Sequence, residues 1–164
     1  MTSSLMSTSA AAASLTAEIV NPVISATIDT FGMMLGCKAT RKRLFLKTPE
    51  TSYYPITAVI GLSGKASGSV CLSLSREAAF QTVKRILEID VDEITGLVTD
   101  AVGEFANIIM GSAKGNLSGL EMGLPNIVTG ERIQIEFPSC SQPLCVEFDS
   151  EIGPFMICCG FISK

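Results

Sequence analysis

The stretch EITGLVTDAVGEFANIIMGSAKGNLS, residues 93–118, decides how this chain is read. Projected at about 100° per residue, it divides into two sides. Val98, Ala101, Val102, Phe105, Ile108, Ile109, Ala113 and Leu117 share one broad sector, the core-facing side of a long amphipathic helix. The remaining sector, roughly 100° wide, carries Glu93, Gly96, Asp100, Gly103, Glu104, Asn107, Gly111, Lys114, Gly115 and Ser118. A glycine inside a helix costs about 0.5 to 1 kcal/mol relative to alanine, so a stripe of them needs a reason. Close approach of a partner supplies one. With no side chains at Gly103 and Gly111, a visiting loop reaches the helix surface while Glu104 and Asn107 project into it. The plainer alternative is a solvated face whose glycines merely loosen the helix.

Working outward, Asp90 or Asp92 starts this helix, 119–123 ends it, and Pro125 blocks continuation. Upstream, Ser75 caps a short connecting helix that ends near Glu88. The first helix begins near Thr16 and keeps a helical period through Ile24, Ile28, Phe31 and Leu35 before Gly36. Because the residue before a proline avoids helical dihedrals, Asn21 is expected to cap that helix, with Pro22 in its first turn. Strands are expected over 41–47, 55–62 and 68–74, the last two joined by a hairpin loop at 63–67. In the third, Val70, Leu72 and Leu74 alternate with Ser69, Cys71 and Ser73, which predicts one buried face. Further strands fall around 126–137, 144–148 and 154–162, with a turn at 149–153. Helix and three strands therefore occur twice, an internal duplication of about 75 residues. Short connections favour antiparallel pairing, so the expected class is α+β: duplicated helix-plus-three-strand halves forming a mainly antiparallel sheet with helices packed on it.

A length of 164 residues suits one domain, expected over 15–164. The opening 1–14, almost all Ser, Thr and Ala, is expected to be a disordered leader. It lacks the charged start and apolar run of a secretory signal, and nowhere do about 18 apolar residues run uninterrupted. A soluble, cytoplasmic protein without membrane insertion is expected. The net charge of −4 argues against nucleic acid, whose binding depends on neutralising phosphates. Lys38, Arg41, Lys42, Arg43 and Lys47 are instead expected to decorate a strand edge. The chain contains no histidine, which removes the usual general base, the commonest metal ligand and every Ser-His or Cys-His nucleophile. Six cysteines show no zinc spacing and are expected as buried structural thiols, the adjacent Cys158 and Cys159 facing opposite ways.

Glu104 and Asn107, three positions apart, project from one helix face. Neither is a good nucleophile, but an amide offers a donor and an acceptor and can hold a water in a chosen direction. Phosphoryl hydrolysis suits such a pair, because its transition state asks mainly for positioning and charge stabilisation. Glu-x-x-Asn is a weak motif alone, since Glu18 to Asn21 repeats it without the flanking glycines.

The run Asp100-Ala-Val-Gly-Glu104-Phe-Ala-Asn107-Ile-Ile-Met-Gly111-Ser-Ala-Lys114 resembles the signature helix of the CheC/CheX/FliY phosphatases of bacterial chemotaxis. Asn21-Pro22, residues 60–64 with Gly68-Ser69-Val70, and Gly123-Leu124-Pro125 followed by Val128 are similar to CheX in particular. The resemblance spans roughly residues 19–163. It implies a CheX-like fold, a homodimer formed through the sheet, and hydrolysis of the aspartyl phosphate of a CheY-type response regulator. It further implies that Glu104 pairs with the regulator's lysine and Asn107 orients the water, with Mg²⁺ held by the regulator and no cofactor of the chain's own. Asp100, Gly111 and Lys114 are expected to contact the partner. The rival expectation is a noncatalytic module docking through the same helix. A small-molecule domain has less support, since no Gly-rich phosphate loop follows a strand.

Overall fold

The structure, a computed structural model, describes the backbone of residues 2–164 and the side chains of residues 15–164; the first helix, expected to begin near Thr16, also takes in residues 2–14, where a disordered leader was expected. The elements are α1 (Thr2–Leu35), β1 (Ala39–Leu46), β2 (Ile56–Gly64), β3 (Ala66–Leu74), α2 (Arg76–Leu87), α3 (Gly96–Lys114), β4 (Leu120–Met122), β5 (Asn126–Thr129), β6 (Leu144–Ser150) and β7 (Phe155–Ser163). Among the described residues, seven strands form one antiparallel sheet in the order β1-β6-β7-β3-β2-β4, with β5 also paired to β2. Exchanging β1 with β5, β2 with β6 and β3 with β7 leaves the order β1-β6-β7-β3-β2-β5 unchanged. The expected duplication is therefore a pseudo-twofold relation about the β3/β7 seam, where Val70 faces Cys159. Each half lends its first strand to the other half's second, β1 to β6 and β5 to β2, so the halves interlock.

All three helices cover one face of the sheet. Strand alternation sends Phe155, Ile157, Cys159 and Phe161 of β7 toward them, joined by Val70, Leu72 and Leu74 of β3. Phe31 of α1 stacks on Phe155 at 4.4 Å between centroids and meets Phe105 of α3 edge-on at 5.2 Å. Phe155 in turn stacks on Phe148 at 4.7 Å. Removing one ring from this array forfeits its transfer energy and leaves a cavity. Phe155→Ala should therefore cost about 3–5 kcal/mol of unfolding free energy, read as a lowered urea midpoint.

Several expectations are corrected. Pro22 lies inside α1, and Asn21 is an exposed helical residue, not a cap. An interior proline costs about 3 kcal/mol, but Ile19, Val20 and Val23 on either side are almost fully buried, and that packing carries the helix through. The far face of the sheet is covered too, so Cys71 and Ser73 are as buried as their neighbours. Residues 130–137, expected as strand, instead lay Ile133, Ile135 and Phe137 over Cys71, Cys145, Met156 and Cys158. The Ser73 hydroxyl there bonds Thr57 Oγ1 at 2.9 Å and accepts from the Tyr54 N–H at 2.8 Å. The hairpin between β2 and β3 is tighter than expected, with Lys65 alone between the strands. Cys158 and Cys159 do face opposite ways, but Cys158 is in a disulfide with Cys145 across β6 and β7, and Cys140 is exposed. The basic run agrees with expectation: Arg41, Lys42 and Arg43 stand exposed on edge strand β1.

Burial pushes the Cys71 thiol up from its ordinary 9.0 to about 12, and raises Cys159 and Tyr53 as well. The fold thus favours the neutral thiol. Unfolded chains ionise Cys71 near pH 9, so its contribution is complete below that pH and is lost as the pH climbs toward about 12. Urea-unfolding stability should fall above pH 9 by up to about 1.4 kcal/mol per pH unit for each such thiol. Cys71→Ala should make that fall shallower.

Candidate functional site

α3 begins after Thr95, whose extended backbone marks the N-cap, and Thr99 Oγ1 donates to the Gly96 carbonyl at 3.1 Å. It does not start at Asp90 or Asp92. Asp90 is drawn instead to Lys84 of α2 at 3.1 Å. The helix ends at Lys114, well before 119–123, because Asn116 and Leu117 turn back onto the carbonyls of Ala113 and Lys114. Its buried side holds Val98, Ala101, Val102, Phe105, Ile109 and Ala113 as expected, and also Ala106 and Met110, whereas Ile108 is only half-buried.

Gly103 behaves differently from the expectation that a partner would approach it. It is buried, and a Cβ built there would lie 3.5 Å from Ile127 and 3.9 Å from Pro125. The close approach that this glycine permits is made by the chain's own 124–127 segment. Gly111 is the open position: a Cβ there meets nothing within 4 Å.

Between α3 and the 124–127 segment runs a groove of about 330 Å³. Thr99, Asp100, Gly103, Glu104 and Asn107 form one wall, and Leu124, Pro125 and Ile127 the other. Asp100 and Glu104 are exposed and Asn107 is half-buried. Among the described residues, no hydrogen bond or ion pair engages the side chains of these three. Their donors and acceptors are thus available to a visitor. Gly111 and Lys114 lie exposed one and two turns beyond Asn107, outside the groove but on the same helix. Sequence reasoning missed Leu124, Pro125 and Ile127 as part of the site. Only the Gly123-Leu124-Pro125 run pointed there, and it was legible as a helix stop and as a likeness to CheX, not as a groove wall. Among the described residues, no group of three or more Cys, Asp or Glu is placed to hold a metal ion, and no helix is long and apolar enough to cross a membrane.

The antiparallel sheet with helices on one face is the fold of solved bacterial chemotaxis proteins. The family described as chemotaxis phosphatase CheX matches residues 56–149, more than half the chain. This chain belongs to the CheX family of chemotaxis phosphatases. The CheY-P phosphatase CheX of Thermotoga maritima is 25% identical over 125 residues, covering 73% of this chain and 81% of that protein. The crystal structure of a chemotaxis protein CheX from Desulfovibrio desulfuricans superposes with a TM-score of 0.79 at 26% identity, covering 88% of this chain and 99% of that one. A CheX–CheY–BeF3–Mg²⁺ complex from Borrelia burgdorferi shares the fold, with a TM-score of 0.73 at 20% identity over 88% of this chain and 97% of that chain.

The two open or covered glycines predict opposite outcomes. Gly111→Ala should raise stability by about 0.5–1 kcal/mol, since its methyl enters open space and the helix gains propensity. Gly103→Leu should lower it by displacing Ile127 and Pro125, with urea unfolding separating the two.

Proposed function

We propose that the protein accelerates hydrolysis of the aspartyl phosphate of a CheY-type response regulator, with the chemistry at Glu104 and Asn107. The observation that carries this reading is the groove itself: a carboxylate and an amide, unengaged, side by side on a rigid helix. Water attacks phosphorus, the new P–O bond forms as the acyl-phosphate P–O bond breaks, and the aspartate carboxylate leaves with its electron pair, yielding inorganic phosphate. The Asn107 carbonyl oxygen accepts a hydrogen bond from the attacking water and fixes its line of approach. Glu104 holds the regulator's ammonium and so sets the distance between the two active surfaces. Charge on the phosphoryl oxygens is neutralised by Mg²⁺ in the regulator, so this chain supplies orientation and no metal of its own.

The Thermotoga maritima relative, a CheY-P phosphatase, supports the substrate, and the Borrelia burgdorferi complex supports a CheY-type partner carrying Mg²⁺. Asp100, Gly111 and Lys114 extend the docking face along α3. Edge strand β1, with Leu44 51% and Leu46 54% exposed, supports a homodimer through the sheet, and the cytoplasm is the proposed working compartment.

A regulator phosphorylated with acetyl phosphate and Mg²⁺, freed of donor and followed for phosphate release, tests the assignment. Asn107→Ala should lower the turnover rate about a hundredfold or more while leaving regulator binding largely intact. Glu104→Ala should weaken both. Binding without acceleration by the wild-type protein would leave a noncatalytic docking module and sink the enzymatic reading.

A further inference from the structure

We propose that Leu124 is the apolar anchor by which this groove holds its partner, and that the partner presents an apolar side chain immediately beside its active-site lysine. The inference rests on the reading of α3 as the face that docks a phosphorylated regulator, and names what determines affinity there. Leu124 is 83% exposed, yet it sits in a segment tied down at both ends. On one side Met122 pairs with Leu62, and the Gly123 N–H donates to the Gly61 carbonyl at 2.9 Å. On the other, Asn126 and Ile127 pair with Val59 and Ala58. Pro125 locks its own backbone and rests on Gly103, where the missing side chain lets the segment sit close against α3. Leu124 thereby lines the same groove as Glu104 and Asn107, and the helix wall of that groove offers it no apolar neighbour.

A single exposed leucine is unremarkable on a protein surface. This one shares a groove with Asp100 and Glu104, and the groove lining carries no cation. The complementary surface must therefore bring an ammonium group to the carboxylates and an apolar side chain to Leu124. Exposed charge pairs contribute orientation and encounter rate more than affinity. Burial of a leucine whose backbone is already held contributes affinity directly, because only its side-chain rotamers remain to be ordered on binding. In this division Glu104 and Asn107 supply geometry and Leu124 supplies grip.

The test is calorimetric titration of beryllofluoride-activated CheY-type regulator with wild type, Leu124→Ser and Leu124→Met, paired with steady-state dephosphorylation by the same three proteins. Leu124→Ser should raise Kd and KM about tenfold, equivalent to about 1.4 kcal/mol, with the loss falling on KM and not on kcat. Leu124→Met should restore both. An unchanged Kd in Leu124→Ser overturns the anchor while leaving the phosphatase reading intact. Wild type that binds without accelerating hydrolysis overturns the phosphatase reading, and the Kd of Leu124→Ser still decides the anchor. Wild type that neither binds nor accelerates any regulator of its organism overturns both.

Discussion

The contact of Phe31 with Phe155 and Phe105 is the point where α1, α3 and the sheet meet, and the rest of the molecule is arranged around it. Phe105 is fully buried, which fixes the rotation of α3 about its axis. Once Phe105 points inward, Glu104 is turned outward and Asn107 follows on the adjoining side, because successive helical residues are about 100° apart. The proposed functional face is thus set by a core contact. Two side chains placed this way sit on a packed helix, where positional error is smaller than on a loop.

Gly103 links the same helix to the second wall of the site. An alanine methyl there would meet Ile127 and Pro125 at ordinary contact distance, whereas a longer side chain would hold them away from α3 and open the groove. Its helix cost is offset by packing within the chain, whereas the surface near Gly111 is left open. Two glycines on one stripe therefore do different work. One builds the groove wall, and the other leaves the approach to the groove unobstructed.

The far side of the sheet is covered, and the proposed chemistry lies on the helix side. Ile133, Ile135 and Phe137 shield Cys71, Cys145 and Cys158 there, and burial favours the neutral thiol of Cys71, as it does for Cys159 on the helix side, the opposite of what a nucleophilic thiol needs. The chain has no histidine, and the proposed positioning by Glu104 and Asn107 requires none.

Local periodicity made much of this legible from the residues alone. The amphipathic stripe from Val98 to Ala113, the cap at Ser75, the opposite facing of Cys158 and Cys159 and the repeated helix-plus-three-strand order all follow from neighbours within a few positions, and the Glu104–Asn107 pair was visible by the same rule. What local rules could not supply was which surfaces meet. Pro22 is helical because distant residues pack over its neighbours, residues 130–137 leave the strand pattern to cover a second core, and Cys145 meets Cys158 only once β6 and β7 pair. Leu124 joins Asn107 in one groove for the same reason. Seventeen positions separate them in the chain, and only the pairing of β4 and β5 on β2, with Pro125 seated on Gly103, brings them together. Short-range propensity selects the elements, while burial of apolar surface between distant segments selects their neighbours.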